Sequence, residues 1–285
     1  MSVEVISAGS SSSGNSYIVK AGGKKILIDV GISAKRIISA LCENLIAPEN
    51  IDAVLITHEH IDHVKSLRTI ARMCPNAVFF ASEGTISACD KFSHVPDERC
   101  RTISSGDKVS FDGVNIKTFD LSHDANEPVG YSIVSDKEQL TLITDTGIVT
   151  EEMFEEIRTA DKLVIESNHE VDMLMCGNYP YLIKRRIKGD YGHLSNESCG
   201  KAICRMLIER NGISVKKTTD GEADNIASNT KIPSIMLAHL SENNNAPFYA
   251  RQTVECILKD EGFIKGRDYS LTVATKEGIC SLNDR

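Results

Sequence analysis

Apolar residues recur along this chain with two periods. In the first third they form short β-branched runs, at residues 3–7, 17–20 and 25–29, which predict strands. A Ser/Gly stretch at 9–16 and Ala21-Gly22-Gly23 separate them as turns. Helical spacing follows at 34–44, then an apolar strand at 53–57, then a helix over 62–74. Further strands are predicted at 77–80, 114–119, 131–134 and 140–144. Helices dominate afterwards, at 151–158, 179–187, 196–211 and 247–261, with strands at 234–238 and 270–273. Hairpin-rich strands mixed with helices predict an α/β sandwich, sheets inside and helices outside. No solenoid repeat and no boundary divides the chain, so residues 1–285 read as one domain with a polar excursion near 216–231. The stretch GSSSSGNS reads as a flexible turn, although its N–H groups and hydroxyls could face a phosphate.

Composition narrows the classes. The 285 residues are 41% hydrophobic, enough for a sizeable core, and no apolar run approaches the roughly 18 residues of a membrane span. Acidic residues outnumber basic ones 40 to 32, a net charge of -8, which excludes a uniformly basic nucleic-acid coat but not a local strip. Nine scattered cysteines contain no C-x-x-C pair, the pattern of reduced thiols. The opening MSVEVISAGSSSSGN has neither the basic start nor the apolar stretch of a signal peptide, so a cytoplasmic protein is expected.

The densest chemistry is Thr57-His58-Glu59-His60-Ile61-Asp62-His63, directly after an apolar strand. In extended backbone His58 and His60 project to one side, and Asp62 and His63 splay as the chain turns into a helix. Four ligand-type residues within six positions can serve two metals. His123, Asp145 and His239 each follow another predicted strand, and together they repeat one design in which a strand delivers a ligand to one sheet edge.

This arrangement, with Asp29 in Ile28-Asp29-Val30-Gly31 ahead of it, resembles the metallo-β-lactamase superfamily over most of the chain. The resemblance implies a four-layer αβ/βα sandwich and two divalent metal ions. One would be held by His58, His60 and His123, the other by Asp62, His63 and His239. Asp145 would bridge the two, and Asp29 would hold the ligand loop from behind. An all nitrogen and oxygen donor set accepts zinc, manganese or iron, with zinc the first expectation.

Later motifs narrow the branch. Secreted β-lactamases of the superfamily carry Cys where Asp145 stands and are set aside. Glu166 follows an apolar strand, and His193 in Gly192-His193-Leu194-Ser195-Asn196 opens a helix that Ser195 or Asn196 caps. These residues are similar to the Glu and His pair of the tRNA 3′-processing nucleases, which implies a proton-donating dyad. Only 22 positions separate His123 from Asp145, too few for the substrate arm of those enzymes. The 94 positions between Asp145 and His239 are too few for the inserted domain of the RNA exonucleases. GSSSSGNS, THEHIDH, SHDA, ESNHE, GNYP, GHLSN and HLSENN together resemble the bacterial WalJ/YycJ group of small nucleases. That implies a DNA exonuclease acting from a 5′ end on duplex DNA. Lys184, Arg185, Arg186 and Lys188 crowd before His193 as a solvated face or a DNA-gripping strip. For His169 a structural role is expected. In the implied hydrolysis two cations acidify water for in-line attack on phosphorus, Asp62 accepts its proton, and His193, oriented by Glu166, protonates the departing sugar oxygen. The alternatives are a hydrolase of a thioester, lactone or cyclic phosphodiester, and a metal-binding regulatory protein without turnover.

Overall fold

Strand by strand, the apolar positions divide between two faces, and a double-layered sheet follows. The computed structural model describes residues 2–211 and 231–282. The excursion expected at 216–231 therefore lies, Lys231 apart, outside the described residues. The first sheet is built from β1 (Glu4–Ser11), β2 (Gly14–Ala21), β3 (Lys24–Ile28), β4 (Ala53–Leu55), β5 (Val78–Ala81) and β6 (Cys100–Thr102) in that order. The second contains β7 (Lys108–Phe111), β8 (Val114–Asp120), β9 (Val129–Ser135), β10 (Glu138–Ile143), β11 (Lys162–Glu166), β12 (Ser234–Ala238) and β13 (Ser270–Val273), also in chain order. The last strand, β14 (Cys280–Leu282), returns to the free edge of β1.

Period-two alternation assigns each residue to a layer. Ile26, Ile28, Ala53 and Leu55 face Tyr131, Leu142, Val164 and Met236 between the sheets. Leu27 and Val54 point outward under α1 (Ala34–Glu43), α2 (Ile61–Val64), α3 (Leu67–Met73) and α4 (Glu83–Ala88). Leu163, Ile165, Ile235 and Leu237 point the other way, beneath α5 (Glu151–Thr159), α8 (Asn196–Arg210) and α9 (Pro247–Asp260). Two shorter helices, α6 (Val171–Cys176) and α7 (Tyr181–Lys188), lie in the connection from β11 to α8. The result is the expected α/β sandwich of helix, sheet, sheet and helix. Among the described residues no helix is long and apolar enough to cross a membrane, and the nine cysteines are all free.

Two expectations are corrected. Residues 9–16 are not a flexible turn: Ser10 pairs with Asn15 and Ser11 with Gly14 in the β1–β2 hairpin, and Ser10, Ser11, Asn15 and Ser16 are buried. Their polarity serves buried hydrogen bonds rather than solvent. The single helix over 62–74 is two, because Ser66 leaves the helical ladder. Its N–H donates to the Val30 carbonyl and its hydroxyl to that of Ile32.

Candidate metal centre

β3, β4, β8, β10, β11 and β12 all end at one edge of the sandwich, where open α/β sheets present their ligands. Asp29 follows β3, the His58–His63 segment follows β4, His123 follows β8, Asp145 follows β10, and His239 follows β12, while Glu166 is the last residue of β11. Asp29, Asp145 and His239 have φ of 57°, 58° and 54°. The left-handed region is strained for such side chains and persists where surrounding structure over-determines it, typically at functional sites.

Two groups of donor atoms assemble there. His58, His60 and His123 form one, and Asp62, His63, Asp145 and His239 the other. Asp145 faces both: its Oδ2 lies 3.0 Å from His63 Nε2 and its Oδ1 3.8 Å from His123 Nε2. The imidazoles share one pattern of support. His63 Nδ1 donates to Asp29 Oδ2 at 2.8 Å, and His123 Nδ1 to the Gly192 carbonyl at 3.1 Å. His239 Nδ1 donates to Glu166 Oε1 at 2.8 Å, and Thr57 Oγ1, which gives its own hydrogen to Asp29, lies 3.0 Å from His58 Nδ1. Anchoring Nδ1 in this way leaves Nε2 of these four rings toward the cluster, whereas His60 faces it with Nδ1, 3.2 Å from His123 Nε2. Asp29 also accepts the Thr57 N–H at 2.9 Å, so one carboxylate fixes both ends of the His58–His63 segment.

A third group joins Asp145, Glu166, His193 and His239. Glu166 is fully buried and has no unmet capacity. Its Oε1 receives Nδ1–H from His193 at 2.7 Å as well as from His239, and its Oε2 accepts the N–H groups of Thr146 at 3.0 Å and Leu194 at 3.1 Å. His193 keeps 16% of its side chain exposed. It is brought in by Gly192, where a Cβ would lie 2.3 Å from the carbonyls of Arg186 and Ile187; without one, the His193 N–H reaches Ile187 O at 2.9 Å. Ser195 then caps α8 by accepting from the Ser198 N–H.

These residues fit divalent cations on the structure's own showing. One buried atom facing the centre, His58 Nε2, has no hydrogen-bond partner, and Asp145 Oδ2 has only His63 Nε2, at 3.0 Å. Unsatisfied buried polar atoms are rare and call for an occupant. Among the described residues no Lys or Arg pairs with Asp62, Asp145 or Glu166, so only imidazoles balance these carboxylates. Burial works to lower the His239 pKa, yet the Asp145, Asp62 and Glu166 carboxylates outweigh it and push it up to about 10. Burial likewise opposes charge on Asp145, but His239 and His63 hold it well below the usual carboxylate range. Burial, with the charge of His63, drives His58 well below its ordinary value, leaving it a neutral donor.

Sequence reasoning missed several supporting groups. Ser10 Oγ accepts the His239 N–H at 2.8 Å, Asn15 Nδ2 lies 3.3 Å from His63 Nε2, and Asn168 Nδ2 donates to the His239 carbonyl at 3.0 Å. The available signal was small polar residues inside apolar strands. His169 joins none of the donor groups; it is buried in a bridge to Ser195, and burial lowers its pKa to about 4. Of the four cations before His193, Arg186 donates to Asp124 at 2.6 Å and Lys184 to the Met175 carbonyl at 2.7 Å.

Comparison with known proteins agrees with this architecture. The model of the β-lactamase superfamily domain matches residues 24–211. The exodeoxyribonuclease YycJ of Bacillus anthracis is 36% identical over 263 residues, 92% of this chain and 91% of that protein. The exodeoxyribonuclease WalJ of Streptococcus pneumoniae is 36% identical, covering 92% of this chain and 90% of its own. Among solved structures, the metallo-β-lactamase fold protein YhfI from Bacillus subtilis superposes with a TM-score of 0.67 at 13% identity, over 98% of this chain and 99% of that one. Zn(2+)-bound PqqB from Methylobacterium extorquens gives 0.63 at 18% identity, with coverage of 98% and 99%. Matched by its family model over most of its length and by relatives along nearly all of it, the chain belongs to the metallo-β-lactamase superfamily, in the group that YycJ and WalJ represent.

Proposed function

We propose that residues 1–285 act as one cytoplasmic hydrolase domain, a dinuclear metal-dependent phosphodiesterase that degrades duplex DNA from 5′ ends. The observation that carries the reading is the His193–Glu166 pair set against the two donor groups. DNA as substrate is supported by relatives named exodeoxyribonucleases along nine-tenths of the chain. His58, His60 and His123 would hold one cation, Asp62, His63 and His239 the second, with Asp145 between them. Zinc suits these nitrogen and oxygen donors, and manganese or iron can replace it. When bound, two such cations lower the pKa of water and offset charge gathering on phosphoryl oxygens.

The side chains supply the proton handling. Asp62 Oδ2 lies 3.4 Å from both His63 Nε2 and His239 Nε2, and its second oxygen can take a proton from the attacking water. Burial works to lower the His193 pKa, but the Glu166 carboxylate outweighs it, so the ring stays protonated further into the neutral range. With Nδ1–H committed to Glu166, the proton on Nε2 is the one available to the departing sugar oxygen.

Duplex DNA labelled at either 5′ or 3′ ends, incubated with the metal-loaded protein, tests this. Mononucleotide release from the 5′ label first is expected. Turnover of thioesters, lactones or cyclic phosphodiesters with DNA left intact would give the site to a small-molecule hydrolase, and inertness toward all of them to a metal-binding regulatory protein.

A further inference from the structure

Helix α7 has no interior: none of its eight residues is buried. Its first turn nevertheless consists of large apolar side chains, with Tyr181 70% and Leu182 69% exposed. Positions 181, 185 and 188 stand at i, i+4 and i+7, which aligns Tyr181, Arg185 and Lys188 along one face. Among the described residues, Arg185 and Lys188 meet no carboxylate and no hydrogen-bond acceptor, unlike Arg186 and Lys184. The face thus sets two cations without a carboxylate partner among the described residues beside an exposed aromatic ring, in a protein of net charge -8.

This helix has a fixed place beside the donor groups. At its C-terminal end Arg186 is tied to Asp124, and the Ile187 carbonyl to the His193 N–H. Just before its other end Tyr179 OH accepts from Asn243 Nδ2 at 2.7 Å, in the loop that follows His239. The helix therefore runs from the His123–His193 side of the centre toward the His239 side.

We propose that this face of α7 binds a single nucleic-acid strand at the entrance to the metal centre, a base stacking on Tyr181 and phosphates meeting Arg185 and Lys188. The inference rests on the nuclease reading and adds a strand-separating surface to it. Seven residues at ~1.5 Å rise place Tyr181 about 10 Å from Lys188, within the reach of neighbouring nucleotides on one extended strand. Cations alone would suit an intact duplex, whose base faces are hidden. An exposed aromatic ring among them is matched by an unstacked base, and base–aromatic stacking combined with backbone charge is how single strands are held. A strand so held is kept apart from its complement as the duplex end enters.

The test uses the full-length metal-loaded protein and short single strands with phosphorothioate linkages that resist cleavage, either carrying bases or abasic along three central positions. Tyr181→Ala should weaken binding of the base-bearing strand by roughly 5- to 100-fold and leave the abasic strand unaffected. Tyr181→Phe, which keeps the ring, should bind as the parent does. Arg185→Gln with Lys188→Gln should weaken both strands and lower the slope of log affinity against log salt by about 1.4, two phosphates' worth on a single strand. Equal binding of the base-bearing strand by Tyr181→Ala and the parent overturns the proposal while leaving duplex cleavage, and the nuclease reading, in place. A change of oligomeric state by sedimentation in Tyr181→Ala, with strand binding unchanged, overturns it in favour of a second copy of this chain. A parent protein that binds neither strand and cleaves no DNA removes the nuclease reading, and this proposal with it.

Discussion

One oxygen atom, Oε1 of Glu166, accepts hydrogen bonds from His193 and from His239, and so couples the proposed acid to a proposed ligand. Glu166→Gln cannot keep this arrangement. With its carbonyl turned to Thr146 and Leu194, the amide NH2 faces both Nδ1 atoms and forces each ring to carry its hydrogen on Nε2. Turned the other way, the amide opposes two backbone N–H groups. In the first orientation His239 loses Nε2 as a donor, and in the second two buried N–H groups lose their acceptor, so metal affinity should fall by roughly 10–100-fold, measurable by competition with a chelating dye. His193→Ala removes the proposed acid and none of the proposed ligands. It should keep both cations by elemental analysis, slow DNA cleavage by roughly 10²–10⁴-fold, and largely spare a nitrophenyl phosphodiester, whose leaving group needs no proton. Protonation makes a further prediction. In the metal-free centre His239 is pushed up to about 10 and His63 well above its ordinary value, so a cation must displace protons to bind. Affinity should rise with pH and fall about tenfold per unit of acidification for each proton displaced. Calorimetry in buffers of different ionisation enthalpy reads that proton release directly; a pH-independent affinity would mean these imidazoles are already neutral.

Strand ends do most of the positioning, and one glycine shows how tightly. A Cβ on Gly31 would lie 1.6 Å from the Asp62 carbonyl oxygen, while Val30 N–H donates to the His63 carbonyl at 2.8 Å. Gly31→Ala must therefore push the His58–His63 segment off β3. Overpacking of this kind costs about 1–3 kcal/mol or more, and urea unfolding with metal analysis should register both lost stability and lost cations. Much of this level was legible beforehand. Strands at 234–238 and 270–273 match β12 and β13, because Ile235–Ala238 is a short apolar run buried on both faces and Leu271 and Val273 alternate with polar residues. The donor residues at strand ends were legible for the same reason. The continuation of β1 and β2 through residues 9–16 was not, since Ser and Gly imitate a linker when a hydroxyl is recruited to support His239 and Asn15. Nor was the break at Ser66, whose partners Val30 and Ile32 lie more than thirty positions away. Both failures have one cause: the hydrogen bonds that decide these segments are tertiary, and local patterning does not record them.

At the scale of the molecule the question is how a protein of net charge -8 approaches a polyanion. Its mean field opposes DNA, so attraction must come from a patch whose cations are not already neutralised. The four basic residues before His193 were visible as a run, but their state depends on neighbours distant in sequence. Arg186 is paired with Asp124, whose other oxygen lies 3.4 Å from His123 Nε2, whereas Arg185 and Lys188 have neither a carboxylate nor a hydrogen-bond acceptor among the described residues. Single substitutions should separate these roles. Arg185→Gln should reduce the slope of log affinity for a single strand against log salt by about 0.7, one phosphate contact, with metal content intact. Arg186→Gln should leave that slope nearly unchanged, because its charge is already cancelled locally. It should instead release Asp124 beside His123 and alter cation binding at the first donor group, seen as a change in metal affinity without a change in salt dependence. Equal slopes lost in the two variants would show that the Arg186–Asp124 pair opens when DNA arrives, and that the strip acts as a whole.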